Sequence, residues 1–308
     1  MRFASGLLLT AALLVLAACS GGSAQVDFSR QEQPTPSAVA TPASAGVVRL
    51  AIASVLSPLP TSDLYQQLAD YLGEKLGRPV ELVQGKTYAE INDLVKSGDV
   101  TLALVCTNPY LQGREDFGME LLVAPQVSGG TEYYSLLIVS SDSAAQSLAD
   151  LRDASFAFSD PLSNTGRLAP LYQLALIGES PDTFFGRTIF TYAHDSSIRA
   201  VAQGVVAAAA VDSLVFDYMV KTEPAIATQV KVIQRWGPFG INPFVVSPRL
   251  DAGLKRQLRE VFLEMDRDPQ GKGVLRDLLI DRFVVPDDSI YDTVREMRSY
   301  LSEHGLGP

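Results

Sequence analysis

The chain has 308 residues, with 25 Lys and Arg against 35 Asp and Glu, for a formal net charge of −10 at pH 7. No Lys/Arg-rich run occurs, which excludes nucleic acid as a partner. With 2 His and 2 Cys in the whole chain, a His-rich metal site is ruled out by arithmetic, and no cofactor signature is present.

Arg2 supplies a positive start, and residues 6–18 form an apolar run too short to span a bilayer. The run ends in Leu16-Ala17-Ala18-Cys19, followed by Ser20-Gly21-Gly22. This is the lipobox pattern: residues 1–18 are predicted to be a lipoprotein signal peptide. The Cys19 thiol is then predicted to take a diacylglycerol, and its acyl chains hold the protein at the outer face of a membrane or in the periplasm. Residues 19–46 are rich in Ser, Ala, Gly, Pro and Thr and predict a flexible, lipidated tether. Loss of Cys19 to the lipid leaves Cys106 as a lone thiol, so no internal disulfide is expected.

Regular patterning begins at Val47 and leaves roughly 260 residues, enough for two lobes of ordinary size. The apolar run 47–53 predicts a buried strand. Ser57-Pro58-Leu59-Pro60 follows, and Thr61 or Ser62 is the expected N-cap of a helix carrying Leu64, Leu68, Tyr71, Leu72 and Leu76. Residues 80–83 read as a strand, Thr87-Tyr88-Ala89-Glu90 as a capping box opening a helix, and 100–105 as a third strand. Further strands are expected at 133–139, 155–158, 188–192, 205–211, 231–234 and 242–246, with mostly amphipathic helix over the last sixty or so residues. The alternation of strand and helix predicts an α/β fold with parallel sheets. No repeat of 20–50 residues is visible, which removes solenoids and propellers.

The polar segments share one position. Residues 57–62, 106–110, 160–166, 194–197 and 212–213 each follow a predicted strand and lead into a helix. In open α/β sheets ligands bind there, at the carboxyl ends of strands. Hydroxyls and helix N-terminal amides come together in these turns, as an oxyanion site requires.

Four stretches carry a family resemblance. Gly98-Asp99-Val100-Thr101-Leu102-Ala103 is similar to a "G-x-V-D-h-A" strand entry, h being apolar, with Tyr110 at the aromatic position that follows. Tyr133-Tyr134-Ser135-Leu136-Leu137-Ile138-Val139 is similar to a "Y-x-S-x-h-h-V" crossing. Phe158-Ser159-Asp160-Pro161-Leu162-Ser163-Asn164-Thr165-Gly166 resembles an "F-x-D-P-x-S-T-S-G" turn, and His194-Asp195 through Gly204 to Asp212-Ser213 resembles an "H-D…G-x-V-D…V-D-S" segment. Together they resemble the PhnD-like phosphonate/phosphite/phosphate-binding proteins of ABC importers, a branch of the type 2 periplasmic binding proteins.

The resemblance implies an α/β, two-lobed type 2 periplasmic binding protein fold with two interlobe crossovers. Lobe one would comprise 47–134 plus 235–308, and lobe two 135–234. It further implies a monomer that captures a small anionic ligand between the lobes and delivers it to an ABC permease. Its ligand contacts carry over to Ser163, Asn164, Thr165 and Gly166, to Tyr110 with Tyr133 or Tyr134 lining the cleft, and to His194 and Asp212 nearby. There are departures: Asn164 replaces a hydroxyl of the turn, and Thr101 and Ala207 stand where the pattern has aspartate.

Several residues keep two readings. His194 either donates to the anion or senses its protonation. Asp212 either accepts a proton from a monoprotonated oxyanion or an amine, or caps the helix at Ser213. Cys106 is either a small buried residue or a soft ligand. The second option for Cys106 gives the alternative function, an arsenite- or other oxyanion-sensing protein that signals to a sensor kinase. Cys106 with His194 is the only catalytic constellation the composition permits, and no G-x-S-x-G elbow or HExxH motif accompanies it. The expectation is a binding protein with no catalytic residues, no cofactor and no metal.

Overall fold

The computed structural model describes residues 46–307. The signal peptide expected at 1–18, the lipidation expected at Cys19 and the tether expected over 19–46 fall, up to residue 45, outside the described residues.

Two mixed sheets organise the chain. The first has six strands in the order β11 (Arg282–Val284), β4 (Glu120–Gln126), β10 (Phe244–Val246), β3 (Leu102–Leu104), β1 (Val48–Ile52) and β2 (Val80–Gln84). The second has five, in the order β7 (Arg187–Phe190), β6 (Ser155–Phe158), β8 (Ala208–Asp212), β5 (Glu132–Ser140) and β9 (Val230–Gly240). The expectation of parallel sheets needs correction. β1 runs parallel to β2 and β3, and β6 parallel to β7 and β8, but β10, β11, β5 and β9 pair antiparallel. Antiparallel pairing needs no helical crossover, and β5 and β9 pair along most of their length at one edge of the second sheet. β5 begins at Glu132 and β9 ends at Gly240.

Helices cover the sheets: α1 (Pro58–Leu76), α2 (Tyr88–Ser97), α3 (Thr107–Phe117), α4 (Ala169–Leu176), α5 (Pro181–Phe184), α6 (His194–Ala202), α7 (Ser213–Thr222), α8 (Ile226–Gln229), α9 (Ala252–Glu264), α10 (Pro269–Asp277) and α11 (Asp292–Glu303). Leu68, Ala69, Tyr71 and Leu72 of α1 pack with Leu258 and Phe262 of α9 on one face of the first sheet. Ile198 and Val201 of α6 and Val215 and Met219 of α7 do the same on the second. A further buried cluster, including Ala51, Tyr88, Cys106, Tyr133, Phe156 and Tyr291, draws residues from both sheets. β8 is an Ala-rich strand with every residue buried, so helices can approach it closely.

Three local differences from the sequence reading bear on the site. Helix α1 begins at Pro58, one turn before Thr61, because the N–H groups that proline lacks at a helix start have no intrahelical acceptor anyway. Thr87 caps α2 as expected, its Oγ1 accepting from Glu90 N at 3.2 Å, but the Glu90 carboxylate accepts from Lys86 N instead of closing a capping box. The helix expected after the polar segment 160–166 opens within it, at Asn164, as a π turn over Asn164–Leu168 that runs into α4. Such wide turns occur often at functional sites. Among the described residues no helix is long and apolar enough to cross a membrane.

Candidate functional site

The segments after β1, β2, β3, β6, β7 and β8 bring their polar residues to one place between the sheets. Ser163 N-caps the wide turn, its Oγ accepting from Gly166 N at 3.0 Å. His194 opens α6, and its Nδ1 accepts from the backbone N–H of Asp212 at 3.1 Å. That bond fixes the neutral tautomer with the proton on Nε2, which lies 3.4 Å from Ser163 Oγ. Ser163 Oγ therefore faces two donors, Gly166 N–H and His194 Nε2–H, and its own O–H is left to donate elsewhere. A chain of dipoles runs from the Asp212 amide through His194 to the Ser163 hydroxyl.

Around this chain other polar groups are buried without a partner. Ser159 Oγ, Thr165 Oγ1, Asn164 Oδ1 and Tyr88 Oη have no hydrogen-bond partner among the described residues, and none of these residues is more than 1 % exposed. An unpaired buried hydroxyl costs about 1–3 kcal/mol, so several together mark a site built for a polar guest. Asn164 Nδ2 donates to Tyr133 Oη at 3.0 Å, and Tyr133 Oη lies 3.7 Å from Cys106 Sγ. Gly166 is required here: a Cβ on it would stand 1.8 Å from Ser159 Oγ and 2.9 Å from His194 Cε1.

The cluster carries no lysine or arginine. Arg167 turns away to donate to Pro161 O, and Arg298 donates to Asn108 Oδ1 and Glu115. Burial lowers His194 from 6.5 to about 3, so the imidazole is neutral. Burial raises Asp212 to about 7, against the pull of the Leu214 and Val215 amides it caps and of Asn242. Burial also pushes the Cys106 thiol up to about 11, partly offset by the Asn164 amide and the Tyr133 hydroxyl. Below about pH 6 the cluster offers neutral O–H and N–H dipoles, a design suited to an oxyanion, and at pH 7 Asp212 is about half ionised.

The cluster brings together Ser163, Asn164, Thr165, Gly166, Tyr133, Cys106, His194 and Asp212. Tyr110 and Tyr134 do not join it. The Tyr110 hydroxyl donates to Asp288 Oδ1 at 2.8 Å and accepts from Arg114, while its ring tilts against Tyr291 at 5.0 Å. Next along β5 from the inward Tyr133, Tyr134 faces the opposite side of the strand and carries the Arg235 guanidinium over its ring at 3.3 Å. Sequence reasoning missed Tyr88 and Ser159. Tyr88 was read only as part of a helix start; its phenol is raised well above its ordinary value by burial first, then by Cys106, Asp160 and Asp212. Ser159 lies inside the quoted Phe158–Gly166 motif, the one signal that could have singled it out.

Contacts between segments of the two sheets close over the cluster. Ser57 N and Oγ donate to Asp195 at 2.9 and 2.5 Å, His194 N donates to Val55 O at 3.0 Å, and Tyr88 N donates to Asp160 Oδ2 at 3.1 Å. Asn108 Nδ2 donates to Leu162 O at 2.9 Å, and Asn164 N reaches Cys106 Sγ at 3.4 Å. Ser163, Asn164, Thr165 and His194 are fully buried, so a guest enters only when these contacts open. Asp195→Ala should therefore speed release of a bound guest by about 3–30-fold, the worth of one or two such hydrogen bonds, with a smaller change in the association rate by stopped-flow.

Residues 50–291 match the model of the phosphonate periplasmic substrate-binding proteins of ABC transporters. The chain belongs to this family. It is 26% identical over 182 residues to the phosphonates-binding periplasmic protein of Escherichia coli K12, and that match covers 58% of this chain and 54% of the relative. The chain thus spans about half the length of that curated relative. As a phosphonate-binding family member it also shares its fold with solved relatives. One is a binding protein component of an ABC phosphonate transporter from Pseudomonas aeruginosa, with a TM-score of 0.80, 24% identity, and coverage of 84% of this chain and 88% of that one. Another is PhnD1 of Prochlorococcus marinus MIT 9301 in complex with methylphosphonate, with a TM-score of 0.75, 20% identity, and coverage of 84% and 99%. The two-lobed type 2 periplasmic binding protein fold is common to them.

Proposed function

We propose that this protein is an extracytoplasmic binding component that captures a small phosphorus oxyanion between its two lobes and delivers it to an ABC importer. The ligand class is phosphonate, phosphite or phosphate. The observation that carries this reading is the sealed, cation-free group of hydroxyls and amides formed by Ser163, Thr165, Ser159, Tyr88 and Tyr133. Dipoles in a water-excluded site hold an oxyanion without the cost of burying a lysine or arginine. The methylphosphonate complex of the Prochlorococcus relative agrees with the choice of ligand class. Lobe one is taken as 47–134 plus 235–308 and lobe two as 135–234, with Cys19 tethering a monomer to the membrane. Closure is a population shift toward the form in which Ser57 meets Asp195.

The test is thermal unfolding of the purified full chain with phosphate, phosphite, methylphosphonate, arsenite and sulfate. Ligand at a hundredfold excess over its Kd should stabilise by about 2.7 kcal/mol. The shift should appear with a phosphorus oxyanion, disappear in Ser163→Ala/Thr165→Ala, and survive Cys106→Ser, because the Cys106 thiol stays protonated at neutral pH. A shift with arsenite alone, lost in Cys106→Ser, would replace this reading with the sensor.

A further inference from the structure

A cavity of about 290 Å³ lies beside the polar cluster and shares Asp212 with it; Asn242, a neighbour of Asp212, also lines it. Asp212 joins the cluster through His194, and Asn242 Nδ2 approaches Asp212 Oδ2 at 3.4 Å while its Oδ1 lies 3.5 Å from Thr107 Oγ1. Beyond these two the walls are mainly apolar: Leu64 from α1, Leu214 and Val215 from α7, and Leu278 and Ile280 after α10. The two helices belong to opposite sheets, so the cavity lies between the lobes, as the cluster does. No lysine or arginine lines it, and its only charged groups are Asp212 and Asp217. Its other polar side chains are Tyr65, Ser128, Tyr218 and Asn242.

The cavity is far larger than the ~10–15 Å³ that one water needs, and far larger than a methyl group fills. An amine is a poor match. Asp212 Oδ1 accepts from Leu214 N and Val215 N, and Oδ2 faces Asn242, so this carboxyl is already committed as the N-cap of α7, and Asp217 already feels the Arg235 guanidinium, which opposes the rise that burial causes. What remains is a largely aliphatic surface beside a site for a charged head.

We infer that the ligand is a phosphonate with an extended apolar substituent, an alkyl or aryl group of about four to eight carbons, whose head sits on the Ser163 cluster and whose tail fills the cavity between α1 and α7. This rests on the proposed function and deepens it. Each buried methylene should strengthen binding roughly fourfold. Tail burial would also help to hold α1 against α7 in the closed form, coupling the substituent to closure.

The experiment is calorimetric titration of the full chain with methyl-, butyl-, hexyl-, phenyl- and 2-aminoethylphosphonate, repeated with Leu64→Trp, which narrows the cavity from α1. The expected result is butyl- or hexylphosphonate at least tenfold tighter than methylphosphonate and 2-aminoethylphosphonate weaker than butylphosphonate. The Leu64→Trp variant should lose that preference while keeping methylphosphonate affinity. Ile280→Phe, from the facing wall, supplies the same check should Leu64→Trp fail to fold. Methylphosphonate or the aminoethyl compound binding as tightly as the alkyl series would overturn the inference and leave the proposed function standing. Failure of every phosphonate, methyl included, would overturn both.

Discussion

Gly166→Ala should abolish methylphosphonate binding, raising Kd by a hundredfold or more, about 2.7 kcal/mol, and should lower stability by ~1–3 kcal/mol. The new methyl group would sit 1.8 Å from Ser159 Oγ, 2.8 Å from Ser159 Cβ and 2.9 Å from His194 Cε1. Rotating the serine hydroxyl relieves only the first of these clashes. The other two demand movement of β6 or α6, and both are packed into a core with no exposed surface at Phe156, Ala157, Ile198 and Val201. Displacing His194 breaks the bond from Asp212 N, frees the imidazole tautomer and unhooks the Ser163 hydroxyl from its second donor. Gly273→Ala is the control. Nothing lies within 4 Å of its Cβ position and it sits inside α10, so it should be neutral or stabilise by up to ~1 kcal/mol. Urea unfolding and calorimetry on both variants check the pair; equal behaviour would mean that the turn tolerates a side chain and the cluster is not rigid.

What was legible in the sequence follows the range of the forces involved. Strand Ser155–Phe158 and the Thr87 and Asp212 caps were readable because propensity, periodicity and capping act over a few residues. The turn at Ser163 was readable because hydroxyls, glycine and a helix start fall within four positions. Strands β4 and β11 went unread: β11 has three residues, and β4 carries Pro125. The direction of a side chain depends on partners far along the chain. Tyr110 turns toward Asp288, 178 residues away, and the backbone N–H of Tyr88 is bonded to Asp160, 72 residues away. No local pattern distinguishes a tyrosine that closes a ligand site from one that props a helix. The start of α1 has the same character: Ser57 donates its hydroxyl to Asp195, 138 residues on.

Asp212→Asn should unbalance a pair of opposed titrations and change the pH dependence of stability. In the folded protein burial raises Asp212 from 3.8 to about 7 and lowers His194 from 6.5 to about 3. The raised carboxyl contributes stability below its unfolded value of 3.8 that is lost as pH climbs to about 7. The depressed imidazole contributes stability above its unfolded value of 6.5 that is lost as pH falls toward about 3. Between about pH 4 and 6.5 the unfolded chain holds a proton on the histidine and the folded chain holds one on the aspartate, so the two slopes cancel. Asn keeps the N-cap of α7 but removes one titration. Relative to wild type, Asp212→Asn should therefore lose about 1.4 kcal/mol for each pH unit below 6.5. His194→Gln should show the mirror image, losing the same amount per unit as pH rises from 4 to 6.5, above which wild type slopes equally. Urea unfolding of the three proteins from pH 4 to 8 reads both differences directly, and a pH-independent gap for either variant would show that its partner does not hold the state assigned here. The opposed shifts also have a functional consequence. They keep the cluster free of imidazolium, and largely free of Asp212 carboxylate up to about pH 6. The same Ser163–His194 dipole chain therefore meets the oxyanion over the whole mildly acidic range, and Asp212→Asn should leave methylphosphonate affinity within about threefold of wild type at pH 6, since Asn supplies the neutral partner that the protonated aspartate already is.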